Sequence, residues 1–484
     1  MDTAAVSAGV EGALPSGGRP RQLSVRTLLI GLLLALADHR PAHLTRVHQA
    51  LIGLDLDDQH RLGVVVDWRA GPHPLTYRQV ERTFGLIVEA LGRDGRGGAP
   101  SDALSEVVDA LMEASVPARY GRASSSLAVD WTDHETFSCP PTEPGGRCAD
   151  PDATWGHRRG HSPGQADQLF FGYYPQAATM VADEGAAPVP ELARRLLVTT
   201  CAVDPPRALV TVLERMHRCG IALGDLLSDS GYAHRLAAAW ALPLRRIGAR
   251  LVTDLHPHDR GPKGTHAGAT IANGNLYCPC TPPALLAIGP LARGADTATT
   301  AAHDITTAEA ARYKLGRLSA DDADGYHRVS CPAVTDKLRC PLRPESMMLS
   351  HDRPEVLAPP EHPPPCCTQQ TLTVPPDVNA KTAQRHDYPG AGWRRSYGRR
   401  TAVERTFSTI KDPASTDTTR GWCRLMGLVP ITLMLTCAMV VRNGRIVDAF
   451  EARVADDERR LAQGQPPATR RRRRRTLADL VDTA

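Results

Sequence analysis

At 484 residues the chain is long enough for two or three domains and a sizeable core, and its 42% apolar content excludes a wholly disordered protein. The formal net charge is only +4, but six arginines run together from Arg470 to Arg475, so a polyanionic partner suits that end of the chain. The longest apolar runs, "LLIGLLLALA" from Leu28 and "LMLTCAMVV" from Leu433, fall well short of the roughly 20 residues that span a bilayer and read as buried helices, with no membrane partner.

Residues 1–22 open on an acidic stretch, Met1 to Gly18, that contains Gly, Ser and Pro, with no basic region leading into an apolar one. They read as a disordered N-terminus without a secretion signal, which implies a cytoplasmic location. In that compartment the 12 cysteines are thiols or metal ligands rather than disulfides. Residues 23–120 alternate apolar helical runs with short polar loops and predict a helical domain. Within it "HPLTYRQVERTFGLIVEAL" has Thr76 as a helix cap and apolar residues at helical spacing, a pattern shared by DNA-reading helix-turn-helix units and by any amphipathic helix.

From 121 to 258 strands and helices alternate. "SSSLAVDWT" is a short strand ending in Asp130, "LFFGYYPQAATMVAD" reads as strand and hairpin, and "PPRALVTVLERMHRCGI" as an amphipathic helix. "ALGDLLSDSGYAHR" runs from strand into turn and helix past Asp229, and "RIGARLVTDL" is a further strand. The pattern predicts a mixed α/β layer. Residues 259–392 change to Pro, Gly, Thr and Cys and read as an insertion. Helical texture returns over 393–455, and 456–484 is a basic tail.

The stretch "YGRRTAVERTFSTIKD" carries the chemistry. On one helix at about 100° per residue, Tyr397, Arg400, Glu404 and Lys411 fall within an arc of about 60°. One carboxylate among three phosphate-binding groups suits neither a core nor a salt-bridged surface helix, which would pair Glu and Lys at four-residue spacing. Asp130 and Asp229 end short strands, where α/β sheets present functional side chains. Three convergent carboxylates suit a pair of Mg²⁺ or Mn²⁺ ions, because hard cations take oxygen ligands.

The spacing of Tyr397, Arg400, Glu404 and Lys411 resembles the Y-(2)-R-(3)-E-(6)-K signature of bacterial insertion-sequence DDE transposases. "LSDSGY" resembles the segment around their second aspartate and "LAVDWTDHETF" that around their first. The resemblance runs from the N-terminal helices to about Phe450 and implies an RNase H-like catalytic core split by an insertion domain, with a helical DNA-binding domain ahead of it. It further implies that Asp130, Asp229 and Glu404 hold two Mg²⁺, and that Tyr397, Arg400 and Lys411 contact DNA phosphates. The implied reaction is cleavage at the element's terminal inverted repeats followed by 3′-hydroxyl attack on target DNA, carried out by a homodimer at the bacterial nucleoid. Asp133 is the rival to Asp130 for the first metal position.

Two further readings concern binding. Cys278, Cys280, Cys331 and Cys340 in the insertion have enough thiolates for a structural Zn²⁺, although "CPC" is not the usual knuckle spacing and buried free thiols read as well. His256, His258 and His266 lie close in sequence but read as ordinary solvated or hydrogen-bonded histidines. Arg470, Arg471 and Arg472 begin a run that either binds phosphate backbone without sequence preference or is simply solvated. Two other functions compete with transposition. One is a DNA-binding derivative that no longer cuts, and the other a metal-dependent nuclease of the same fold without strand transfer.

Overall fold

A computed structural model describes residues 4–14, 21–68, 71–93, 95, 97–143, 146–158, 166–292 and 294–468. The N-terminal helices are α1 (Ala4–Ala13), α2 (Val25–Ala37), α3 (Leu44–Ile52), α4 (Leu56–Arg61), α5 (Tyr77–Gly92) and α6 (Asp102–Ala114). Their starts follow from short polar side chains that satisfy the first free amides. The Ser24 hydroxyl accepts from Thr27 N–H at 3.0 Å, Ser101 accepts from Leu104 N–H at 3.0 Å, and Thr76 with Gln79 forms a reciprocal capping box. Between α4 and α5 the chain folds into a hairpin, β1 (Val65–Trp68) and β2 (Gly71–Pro74), where the sequence predicts only helix and polar loop. The β-branched run Val64 to Val66 followed by Gly71 is the signal for it.

The centre of the molecule is a mixed seven-stranded sheet. Its strands are β3 (Ser126–Trp131), β4 (His134–Glu135), β5 (Thr154–Arg158), β6 (Gln168–Val181), β7 (Ala193–Thr200), β8 (Asp225–Ser228) and β9 (Arg250–Thr253). The long strand β6 pairs antiparallel with β3, β4, β5 and β7, while β8 adds in parallel to β3 and β9 in parallel to β8. α7 (Pro205–Arg218) carries the chain from β7 to β8.

Strand alternation sorts the side chains onto two cores. Leu127, Val129, Leu226 and Leu251 face one core, shared with Leu209, Leu213 and Met216 of α7. Ala128, Leu227 and Val252 face the other, shared with the N-terminal helices and with the C-terminal helices α14 (Thr401–Lys411) and α15 (Leu428–Ala462). One continuous apolar core therefore runs from Leu23 through the sheet to Val440. The apolar helix predicted to end near Val441 continues to Ala462, its buried Asn443 bonding both ways to the Ala193 backbone at 2.8 and 2.9 Å.

Between β9 and the C-terminal helices, two three-stranded antiparallel sheets and the intervening α11 (Thr297–Arg312) build small cores of their own. Their strands are β10 (Pro262–His266), β11 (Ala269–Ala272) and β12 (Asn275–Tyr277), then β13 (Gly316–Arg317), β14 (His327–Ser330) and β15 (Leu372–Val374). All twelve cysteines are free thiols, and no described helix is long and apolar enough to cross a membrane.

Candidate active site

Parallel register brings the two aspartates together. Leu127 pairs with Leu226 and Ala128 with Leu227, so continuing the same offset sets Asp130 beside Asp229 on adjacent strands about 4.8 Å apart. Parity then fixes the face: Asp130 follows Ala128, and Asp229 follows Leu227, onto the side covered by α14. Asp133, two residues beyond the strand, is engaged elsewhere, with Arg158 at 2.6 Å and Lys411 Nζ at 3.4 Å. Burial would raise the Asp133 pKa, but Lys411 and Arg158 hold it below the usual carboxylate range.

The segment after Asp229 is built around that carboxylate. Asp229 caps the short helix α8 (Ser230–Ala233), its Oδ1 accepting from Gly231 N–H at 2.9 Å and Tyr232 N–H at 3.3 Å. Tyr232 is fully buried against Trp131 and Trp240, with ring centroids 4.6 and 4.8 Å apart. Gly231 lets this stack form, because a Cβ there would meet Trp131 Cη2 at 2.4 Å. Gly231→Ala is expected to destabilise the fold by about 1–3 kcal/mol through this clash. The check is a circular-dichroism melt, in which an unchanged midpoint would show that Trp131 moves aside freely.

The signature residues arrive on a broken helix rather than the single helix the spacing suggests. α13 (Ala391–Tyr397) ends at the tyrosine, Gly398–Arg400 make a 3₁₀ turn, and α14 begins at Thr401. The backbone angles through the turn stay near helical values, so the four residues keep a common side. Arg400 lies at the centre: its Nη1 contacts Asp130 Oδ2 at 3.0 Å and its Nη2 contacts the Glu404 carboxylate, while its guanidinium sits over the Tyr397 ring at 5.5 Å. Tyr397 is half-buried and stacks on Trp393, centroids 4.7 Å apart at 15°. Lys411, a helix length away, donates to Thr132 Oγ1 at 2.6 Å.

The charges are unbalanced in a way that serves no packing purpose. Burial and the neighbouring charge of Asp229 push Asp130 up to about 7, against the pull of Arg400. Burial raises Asp229 as well. Burial would lower Arg400, but Tyr397 and the three acids around it more than offset this. Glu404, with 43% of its side chain exposed, is the member open to solvent, while Arg400 is at 9%. One guanidinium thus neutralises part of a half-buried group of oxygen donors, the type a hard cation takes, although as placed the oxygens of Asp130, Asp229 and Glu404 do not all lie within 4.8 Å of one another.

Sequence reasoning missed two acids here. Strand β9 continues the row, because the β8–β9 register sets Asp254 beside Asp229, on the same face by parity with Val252. Asp254 already accepts from Tyr388 Oη at 2.8 Å and Arg260 at 3.3 Å. The "LVTDL" segment that carries it has the same strand-then-acid form as those of Asp130 and Asp229. Asp225 lies at the opposite end of β8 and gathers Arg250 at 2.9 Å, Arg399 at 2.8 Å and Arg385.

The other predicted ligands lie apart from this site. Cys278, Cys331 and Cys340 are buried in one small core of the segment between β9 and α13, with Cys280 half-buried at its edge. Among the described residues no three of their sulfurs lie within 4.8 Å of one another, wider than tetrahedral zinc with 2.3 Å bonds requires, so the thiols as placed do not fit that ion. Arg470, Arg471 and Arg472 lie outside the described residues. No protein-family model matches the chain, and no curated protein matches it.

Proposed function

We propose that the chain is a DDE-type DNA transposase that cuts DNA at the ends of a mobile element and joins the freed 3′-hydroxyl to target DNA. One observation carries the reading: Asp130 and Asp229 end neighbouring parallel strands, and Glu404 from far along the chain is tied to Asp130 through the single guanidinium of Arg400. An RNase H-like core is the finer reading of the mixed sheet, in which β3, β6 and β7 form an antiparallel meander and β8 and β9 add in parallel beyond β3.

Asp130, Asp229 and Glu404 would hold two Mg²⁺ or Mn²⁺ ions, which when bound supply the charge that activates a nucleophile and offsets the leaving 3′-oxygen. Everything else falls to the chain. The Gly231 and Tyr232 amides fix the Asp229 carboxylate, and the Trp131 amide fixes that of Asp130 at 2.9 Å. Arg400 has five donors, so with the charge of these acids otherwise balanced its fork can turn to a phosphate. Lys411 adds a point charge further along the same helix, and the stacked Tyr397 lends a rigid edge beside Arg400. Joining requires two element ends held together, which makes a homodimer acting on nucleoid DNA the working unit.

The test uses the full chain with Mg²⁺ and duplexes taken from the DNA flanking its coding region. Nicking with 3′-end joining is the expected result. Nicking alone would leave a nuclease, and binding without nicking in either Mg²⁺ or Mn²⁺ would leave a DNA-binding protein. Lys411→Ala is expected to weaken binding to those duplexes and to reduce the slope of log K against log salt by about 1. Fluorescence anisotropy across a salt series reads both, and an unchanged slope would remove Lys411 from the DNA contact.

A further inference from the structure

We propose that His234, His256 and Asp259 form a binding site for a borderline divalent cation such as Zn²⁺, separate from the Asp130–Asp229–Glu404 group. The three residues come from two segments that only the fold unites. His234 follows α8, the helix that Asp229 caps, and its side chain turns toward the 3₁₀ turn Pro257–Asp259 at the start of the insertion. One ligand atom from each of the three lies within 4.8 Å of the others. Among the described residues no other set of three histidine, cysteine or acidic side chains is gathered so closely.

The donors fit a particular ion class. Two imidazoles and one carboxylate are the ligand types that Zn²⁺, Co²⁺ and Ni²⁺ take in preference to Mg²⁺, which prefers oxygen throughout. His234 Nδ1 and Asp259 Oδ2 already stand 3.0 Å apart, close to the ligand separation around a tetrahedral ion with bonds of about 2 Å. The His234 and His256 rings stack with centroids 3.9 Å apart at 27°. His256 Nδ1 accepts a 3.3 Å bond from His258 N–H, and ligation through that nitrogen would replace this long contact. The second Asp259 oxygen accepts from Lys381 Nζ at 2.6 Å, so this ammonium already occupies part of the carboxylate that a cation would take.

Lys381 is thus a competing cation, and this gives the site a signature that misfolding cannot imitate. An ion held here would clip the segment after Asp229 to the segment after Asp254, and so brace the strand ends of the acidic row. The inference stands apart from the transposase reading, because it concerns binding and not cleavage.

The test is equilibrium dialysis of metal-free full-length protein against Zn²⁺ in the presence of millimolar Mg²⁺, with Co²⁺ as a spectroscopic substitute. One ion per chain is expected, with Co²⁺ showing the visible bands of nitrogen and oxygen ligation and no sulfur charge-transfer band. His234→Ala and Asp259→Asn should each weaken binding at least ten-fold, whereas Asp130→Asn should leave it unchanged and Lys381→Ala should tighten it several-fold. Binding untouched by both His234→Ala and Asp259→Asn would overturn the site, as would a sulfur charge-transfer band, which would move the ion to the insertion thiols. A Lys381→Ala protein that binds Zn²⁺ no better than wild type would show that Asp259 is not a ligand.

Discussion

Asp229→Asn protein is expected to bind element-end DNA as tightly as wild type, to cleave it at least about 10³-fold more slowly, and to melt no lower than wild type in Mg²⁺-free buffer at pH 8. The last clause separates this residue from a structural acid. Asparagine keeps the carbonyl oxygen that accepts from Gly231 and Tyr232, so the cap survives. What disappears is a negative charge held beside Asp130 in a half-buried row. Asp130 has its pKa lifted from the ordinary carboxylate value to about 7 by burial and by Asp229. A carboxyl whose pKa is raised in the folded state binds more protons there than when unfolded, so wild-type stability falls as pH rises from about 4 to 7. Removing Asp229 relieves part of that penalty, by an amount on the order of 1 kcal/mol. The melting difference between variant and wild type should therefore grow in the variant's favour between pH 5 and pH 8. A variant that melts lower at every pH, or one that still cleaves, would return Asp229 to the class of helix caps.

How much of this was legible in the sequence depends on the range of the interaction. Asp229 was readable because its role is local: strand, acid, then Ser-Gly-Tyr is a cap followed by a close approach, and each residue acts within a few positions of the next. The common side of Tyr397, Arg400, Glu404 and Lys411 was readable from helical period alone, and it survives the 3₁₀ turn at Gly398–Arg400 because the backbone there departs little from helix. The choice between Asp130 and Asp133 depended on which face of the sheet each side chain meets. That is fixed by pairing with β8, a segment some hundred residues away, so one sequence left it open. Asp254 had the same strand-end form as its neighbours but no motif around it. The β1–β2 hairpin was missed because its flanking helices dominate the local pattern. Asp225 and His234 were invisible for a simpler reason, since their partners are arginines and histidines brought in from other elements, and no spacing rule encodes those meetings.

Asp225→Asn is expected to show the opposite behaviour, a loss of roughly 2–4 kcal/mol in stability at neutral pH. Asp225 is 1% exposed and is the shared partner of Arg250, Arg385 and Arg399. An amide of the same shape would leave three guanidinium groups around a buried neutral side chain, and the half-exposed Arg250 is the one that can recover solvent. Burial alone would raise the Asp225 carboxyl, but hydrogen bonds from Arg385, Arg399 and Arg250 bring it down to about 2. A depressed folded-state pKa means that its stabilisation is complete above the ordinary carboxylate value near 4 and is lost as pH falls from there toward 2. Wild type should accordingly shed about 2 kcal/mol over that window that Asp225→Asn no longer has to lose. Urea unfolding at pH 7 and at pH 3 measures both, and equal stability of the two proteins at pH 7 would end the argument. Arg399 stands next to Arg400, so the same network anchors the turn that carries the central guanidinium to Asp130. At a temperature where the variant remains folded, cleavage should then stay within about ten-fold of wild type, far above that of Asp229→Asn. Two aspartates four residues apart thus take opposite pKa shifts, because hydrogen bonds from three arginines outweigh burial at Asp225, whereas at Asp229 burial prevails over the pull of Arg400 and two backbone amides. The fold secures itself with the first and leaves the second a charge that a bound cation would balance.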